Sequence, residues 1–210
     1  GKKNESIRLA AIPVLAQYGL LEAFSQFTEH YPNILLHIVE RDTNVVFQEL
    51  VKGNADVAIL RSFHPEIQKS KNLKTIPIAW DEIGLMVSQK HPLAQRESVS
   101  LRELTNESFF FLGGHTGICK YCITECAKAG FVPNIVQGEL SRYTLREAIG
   151  SQMGISLMAK RVAEAMRTPQ VCVLSLKEHL KLDLSFVIRE DNLRDGLNTF
   201  IHHVINLHDL

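Results

Sequence analysis

The stretch that most constrains the fold is residues 34–60, ILLHIVERDTNVVFQELVKGNADVAIL. An apolar run at 34–39 is followed by a turn in which Asp42 or Thr43 can cap a short amphipathic helix. A Gly-Asn pair ends that helix, and a second apolar run occupies residues 57–60. The pattern predicts a strand, a helix and a second strand, with the two strands forming a parallel pair. Such units place strand ends and helix N-termini around a crevice in which small ligands bind.

The composition is that of an ordinary globular protein, with 45% hydrophobic and 22% charged residues in a chain of 210. Lys plus Arg number 23, as do Asp plus Glu, so no net field attracts nucleic acid or an anionic membrane. No apolar run approaches the roughly 20 residues that cross a bilayer. Three of the four Cys crowd between 119 and 126, unlike a secreted disulfide framework, which favours a cytoplasmic setting. The chain starts with Gly and is interpreted as a fragment of a longer protein.

Strand and helix patterns alternate along the chain, which predicts an α/β fold with mainly parallel sheets. The order β-α-β-α-β occurs over residues 7–60 and again over 109–158, without a close sequence repeat. We therefore expect two Rossmann-like lobes joined by extended crossover strands near 80–90 and 183–189. Other expected features are a helix with Leu20, Phe24, Phe27 and Tyr31 on one face, a loop at 64–72, separate strands at 73–79 and 82–88, a capping box at Ser100–Glu103, a strand at 132–136 and a Ser141-capped helix ending at Gly150.

Several segments, in this order and spacing, resemble the effector-binding domain of the LysR-type transcriptional regulators. They are IRLAAIPVLAQYGLLEAFSQFTEHYPNI near the start, ERDTNVVFQELVKGNADVAILRS, MVSQKHPLA at 86–94, SLREL at 100–104, CAKAGFVPNI at 126–135 and GISLMAK at 154–160. The resemblance covers nearly the whole chain. It implies a fold similar to periplasmic binding proteins, with one regulatory lobe at 1–86 plus 186–210 and a second at 87–185.

The resemblance also implies a function. A small, anionic metabolite would bind between the lobes and change the geometry of a homodimer or homotetramer. DNA would be contacted only through a winged helix-turn-helix that precedes this domain in the family and is absent from this sequence. No catalysis, cofactor or metal is expected, because the nine His and the Gly113-Gly114 pair fit no nucleophile, metal or phosphate-binding motif.

The expected effector site follows from position, at strand ends and helix N-termini that present free backbone N–H groups. Thr43 and Arg61 match a hydroxyl and an anion-pairing Arg of some family members, although each has an ordinary alternative as a helix cap or a solvated charge. The first turn reads Ile12-Pro13-Val14-Leu15 where the family often has Ser or Thr, which favours a less polar effector such as an aromatic or branched acid. The full candidate set is Pro13, Val14, Thr43, Arg61, Ser62, Gly114, His115, Thr116, Arg142 and Tyr143.

A second candidate site is the string His115, Cys119, Cys122 and Cys126. A metal ion is disfavoured, because Cys119 and Cys126 would lie about 10 Å apart along a helix. Redox sensing is the better functional alternative, with Cys119 activated by the helix N-terminus and Cys122 as its resolving partner. The favoured interpretation is that the three Cys form a stripe facing the core.

Two other functions remain open for the sequence. A free-standing solute-binding protein of a transporter would share the fold, and a thiol-based redox sensor would belong to the same regulator family. An enzyme is disfavoured, because no paired acid and base is evident in the sequence.

Overall fold

The computed structural model describes residues 4–113, 117–136 and 138–207. It divides into two compact units, Gly1–Trp80 with Asp183–Leu210 (unit 1) and Asp81–Leu182 (unit 2). The expected mixed α/β class is confirmed. The strands, in chain order, are β1 (Glu5–Ala11), β2 (Ile34–Glu40), β3 (Val57–Leu60), β4 (Leu73–Ser88), β5 (Ser98–Val99), β6 (Ser108–Phe110), β7 (Asn134–Ile135), β8 (Ile155–Ala159), β9 (Val171–Leu176) and β10 (Lys181–Arg189). The α-helices are α1 (Leu20–His30), α2 (Thr43–Val51), α3 (Pro65–Lys69), α4 (Ile118–Lys128), α5 (Arg142–Gly150), α6 (Lys160–Ala165) and α7 (Asp195–Leu207).

The chain passes from unit 1 to unit 2 within β4 and returns within β10. The lobe boundaries expected from the sequence, at 86/87 and 185/186, fall inside the same two strands. Within the described residues, no helix is long and apolar enough to cross a membrane.

Unit 1 contains a sheet with the strand order β2-β1-β3-β10. β1 is central and pairs in parallel with both β2 and β3, whereas β10 runs antiparallel to β3. The expectation that β2 and β3 pair with each other is therefore wrong, although both have the expected parallel direction. The reason is that β1, whose apolar residues Ile7, Leu9, Ala10 and Ala11 are buried, occupies the place between them.

The core of unit 1 is an aromatic cluster between the sheet and helices α1 and α7. The centre of the Phe200 ring in α7 lies 5.4 Å from the ring centre of Phe24, 5.0 Å from that of Phe27 and 5.7 Å from that of Phe186. The spacing of four and three residues along α1 gives the predicted buried face, Leu20, Phe24 and Phe27. Tyr31, expected on the same face, lies one residue beyond the helix and is partly exposed.

Three strands of unit 2, β6, β7 and β8, repeat the arrangement of β1, β2 and β3 in unit 1. β6 pairs in parallel with β7 and β8, giving the order β7-β6-β8, which matches β2-β1-β3. β4 then pairs antiparallel with β8 and β9, and β5 pairs in parallel with β9. The two β-α-β-α-β copies inferred from the sequence are thus confirmed as a shared strand order.

Two of the helix starts expected from capping residues are present in the structure. Ser141 caps α5, its hydroxyl accepting a hydrogen bond from the Thr144 backbone N–H at 3.2 Å. The capping box at Ser100 and Glu103 is present, but it starts a 3₁₀ helix, Leu101–Leu104. Three expectations were wrong: β4 is continuous rather than two strands, the segment expected as a loop contains α3, and the strand expected at 132–136 is only two residues long.

Candidate functional site

The carboxyl ends of the three parallel strands in unit 1 lie at one edge of its sheet. Main-chain hydrogen bonds hold this edge together, from the Ile12 N–H to the Ile59 carbonyl at 3.1 Å and from the Arg41 N–H to the Ala11 carbonyl at 2.9 Å. The unit 1 residues expected from the sequence follow these strand ends and form what we call the strand-end site. Its members are Pro13, Val14, Thr43, Arg61 and Ser62.

Arg61 is the only charged member of the strand-end site, and it is 4% exposed. Its Nη1 donates to the Tyr18 hydroxyl and to the Asp183 main-chain carbonyl, both at 3.0 Å. The guanidinium carbon also lies 5.3 Å from the centre of the Tyr18 ring. Neither hydrogen-bond partner carries a negative charge, and Nε is buried with no partner among the described residues. The expectation of a solvated loop charge is therefore wrong, since Arg61 is buried. A buried guanidinium with an unpaired N–H is costly, and an anion that accepted a hydrogen bond from it would offset that cost.

Asp183, at the start of the unit 1 portion of β10, organises the loop that follows Arg61. Its carboxylate accepts from the Ser62 backbone N–H at 3.0 Å and from the Ser185 hydroxyl at 2.5 Å. The same residue thus fixes Arg61 through its carbonyl and Ser62 through its side chain. This double contact holds the Arg61 side chain and its loop in one geometry.

Thr43 is the first residue of α2, but it is not the cap of that helix. The cap is Asp42, whose side chain accepts from the Val45 N–H at 3.1 Å. The ordinary explanation for Thr43, a helix cap, is therefore not its role, and its half-buried side chain lies at the helix N-terminus. Val14 is buried and Pro13 exposed, so the first turn adds apolar surface to this edge.

The unit 2 candidates are placed only in part. Arg142 is half-buried and begins α5 directly after the Ser141 cap. Tyr143 is 67% exposed, and the Arg146 guanidinium carbon lies 5.1 Å from the centre of its ring. Gly114, His115 and Thr116 lie outside the described residues. Effector binding by these residues, and a pocket that combines them with the strand-end site, stay predictions.

Three residues of this network were not singled out from the sequence: Tyr18, Asp183 and Ser185. The sequence of the last strand, KLDLSFVIR, contains a signal for Asp183 and Ser185, because polar residues alternate there with apolar ones. In the structure this strand is buried over nearly its whole length. A buried carboxylate in such a strand requires a fixed partner. Tyr18 carries no comparable signal.

The Cys stripe lies in the core of unit 2. Cys119, Cys122 and Cys126 are all buried. Their helix, α4, packs on β8. Burial raises the pKa of the Cys119 thiol to about 11 and that of Cys126 to about 12, the latter also because of Glu125 and Glu178. Burial, with the neighbouring Cys126 and Cys119, also raises the pKa of Cys122 well above its ordinary value. These shifts are opposite to those of a reactive thiolate and favour a packing role over redox sensing.

No group of three or more potential metal ligands occurs among His, Cys, Asp and Glu of the described residues. His115, the fourth member of the string considered above, is outside that range.

Comparison with known proteins places the chain in context. A family model described as the LysR substrate binding domain matches residues 1–208. An uncharacterized HTH-type transcriptional regulator of Bacillus subtilis, YwbI, is 24% identical over 191 residues, which cover 90% of this chain and 62% of that protein. The chain thus spans about three-fifths of that regulator's length.

Two solved structures have closely similar folds. The regulatory domain of CcmR from Synechocystis, in complex with 2-PG, has a TM-score of 0.85 at 17% identity, covering 98% of both chains. The effector binding domain of QuiR, in complex with shikimate, has a TM-score of 0.84 at 19% identity, also covering 98% of both chains. At these identities the likeness shows the fold alone.

Proposed function

The chain belongs to the LysR substrate-binding domain family, and from this premise we propose that it binds a small anionic effector at the strand-end site. The observation that carries the proposal is Arg61, a buried guanidinium with uncharged partners and an unpaired Nε. A carboxylate is the ligand that matches its donor geometry. The effector binding domain of QuiR in complex with shikimate, a carboxylate, supports the same chemical class.

The apolar first turn refines the ligand class. Val14 is buried in it, and neither Pro13 nor Val14 has a side-chain hydroxyl to offer a polar ligand. We therefore propose an acid with an aromatic or branched apolar part rather than a small hydrophilic dicarboxylate. A screen in which only hydrophilic diacids bind tightly would contradict this refinement.

The test of the main proposal is a thermal-shift screen of monocarboxylic acids, each paired with its primary amide, which has nearly the same shape without the charge. We expect acids to raise the melting temperature and the matched amides to have no effect. In Arg61→Gln the affinity for the best acid should fall about 10- to 100-fold, because a charge-assisted hydrogen bond contributes about 1.5–3 kcal/mol. Isothermal titration calorimetry measures that change.

The matched control is Arg41→Gln, which removes an exposed Arg close to the same sheet edge. Its affinity for the acid should equal that of the wild type. Equal binding of acids and amides, or unchanged affinity in a folded Arg61→Gln variant, would show that Arg61 is not the anion-recognising group.

Self-association is the second element of the proposed function. β2 is an edge strand of unit 1, and it carries the exposed apolar side chains Leu35, Ile38 and Val39. An open edge with exposed apolar residues is a ready surface for pairing with another chain. We therefore propose a homodimer or homotetramer in which β2 and the adjacent helix α1 contribute to the contact.

The expected result for Leu35→Glu is a dimer that dissociates at concentrations at least about tenfold higher than the wild type, since a charge at the contact costs 1.4 kcal/mol or more. Sedimentation velocity over a concentration series measures the difference. Val51→Glu, at an exposed apolar position on α2, is the control and should leave the association unchanged. A monomeric wild type would contradict the proposal.

In the whole protein, we propose that effector binding changes the oligomer and thereby transcription, with DNA contacted by a separate domain and with the protein acting in the cytoplasm. The support is that the relatives are transcriptional regulators of greater length. The same relatives favour this role over a transporter's solute-binding protein and over an enzyme.

A further inference from the structure

The end of α1 meets the face of α7 at a contact that the proposed effector function does not use. His30, the last residue of α1, and the following Tyr31 lie beside His203 of α7. We call this contact the helix joint. It is continuous with the aromatic core, because the His203 ring also packs edge-on against Phe27 at 5.5 Å.

His203 is the inner ring of the joint. Its Nε2 is buried and has no hydrogen-bond partner among the described residues. A neutral imidazole tolerates such a position, since it leaves one weak polar atom unpaired. An imidazolium does not, because it would carry a charged N–H with no acceptor.

His30 is the outer ring, 5.7 Å from His203 between ring centres. Its Nδ1 donates to the Gln26 carbonyl at 2.9 Å, which leaves Nε2 as the atom that takes up a second proton. Protonation of both rings would place two positive charges in direct contact. The joint is therefore compatible with neutral rings and opposed to charged ones.

Among the described residues, no carboxylate acts on the His203 ring to relieve this conflict. A groove of about 470 Å³ beside the joint is lined by Tyr31, Asp195, His202 and His203 together with Asn and Thr side chains of α7. Asp195 is eight residues before His203, about 12 Å along the helix axis. From β1, which also packs on α7, Glu5 is paired with Arg194 before the helix begins, and β10 contacts α7 through the uncharged Phe186.

We propose that His30 and His203 make the helix joint a proton-sensitive contact, which holds α1 against α7 while both rings are neutral and loosens when they are protonated. The pKa of His203 supports the direction, because burial and the neighbouring His30 lower it from its ordinary value of 6.5. A lowered pKa means that the unfolded chain binds more protons. The contribution of the neutral His203 ring to the stability of the fold is therefore complete above about pH 6.5. It is lost as the pH falls through the lowered pKa of His203.

The experiment compares the melting temperatures of the wild type, His203→Gln and His30→Gln across about pH 5 to pH 8. The wild type should lose stability as the pH falls below about 6.5, and each variant should lose about 2–4 °C less over the same range. His202→Gln is the matched control, since His202 lines the same groove but is exposed. Its pH dependence should follow the wild type.

A second measurement needs no variant that might misfold. In the wild type, the NMR titration of the His203 ring should have its midpoint below about 6.5, the ordinary value for histidine. A His203 midpoint at or above about 6.5, or a pH dependence in both joint variants equal to that of the wild type, would overturn the proposal.

Discussion

Replacing Asp56 with Ala is expected to lower the free energy of unfolding by about 1.5–3 kcal/mol, the range for hydrogen bonds to a charged group, because a buried carboxylate is lost whose main partner, Arg8, is half-exposed. Asp56 is 5% exposed and directly precedes β3. Its carboxylate accepts from the Arg8 backbone N–H at 2.8 Å and from the Arg8 guanidinium at 3.1 and 3.3 Å. Asn192 donates to it at 3.3 Å, and Arg194 lies 3.6 Å away. One side chain thus joins β1, β3 and the segment before α7.

The same contacts determine how the stability lost in Asp56→Ala depends on pH. Burial alone would raise the pKa of Asp56, but the hydrogen bonds from Arg8 and Asn192 and the charge of Arg194 lower it from 3.8 to about 2. The ionised form is therefore favoured by folding. Its contribution is complete above about pH 4 and is lost as the pH falls through about 2, so wild type and variant should converge in acid.

Urea unfolding at about pH 7 and about pH 3 measures both effects. The control is Glu164→Ala, which removes a carboxylate bonded to Arg167 at 2.8 and 3.3 Å on the surface of α6. Because that pair is exposed, its loss should cost less than about 1 kcal/mol. An Asp56→Ala variant as stable as the Glu164→Ala variant would refute the structural role assigned to Asp56.

Gly154→Ala is expected to destabilise unit 2 by about 2–3 kcal/mol through overpacking. A Cβ at Gly154 would lie 2.6 Å from the Ser108 carbonyl oxygen and 2.6 Å from a ring carbon of Phe110. Both neighbours belong to β6, which pairs with β8 immediately after Gly154, so the backbone cannot move away without breaking the pairing. The glycine permits the close approach of two strands.

Gly138→Ala provides the comparison, because a Cβ at that position would meet nothing within 4 Å. Its stability should stay within about 0.5 kcal/mol of the wild type. Thermal and urea unfolding of both variants test the argument. Equal stabilities would mean that β6 and β8 accommodate a methyl group between them.

The alternation of strands and helices could be predicted from the sequence because each element has its own apolar period. The order of strands could not, since it depends on contacts between distant segments, and β1 lies between two strands that were expected to pair. The sequence predicts two strands, 73–79 and 82–88, in place of β4, because Asp81 interrupts the apolar pattern. Asp81 is the first residue of unit 2, at the point where the strand leaves unit 1.

That Pro13 and Arg61 follow strand ends and that Thr43 begins a helix could also be predicted, because strand ends and helix starts are local features. Whether these residues bind an effector stays a prediction. The burial of Arg61 could not be predicted. Its carbonyl partner, Asp183, is 122 residues away along the chain. Its phenol partner, Tyr18, lies in a turn whose sequence gives no sign of the contact. A local pattern identifies the charge but not the groups that surround it.

The discontinuous composition of unit 1 has a consequence for biosynthesis. Unit 2 is a single continuous segment, Asp81–Leu182, so all of its strands are available once that segment has left the ribosome. Unit 1 is translated first, yet β3 lacks its partner β10 and Phe27 lacks Phe200 until the final segment has been made. Translation of unit 1 therefore begins before that of unit 2, but unit 1 can complete its fold only after unit 2 has been made.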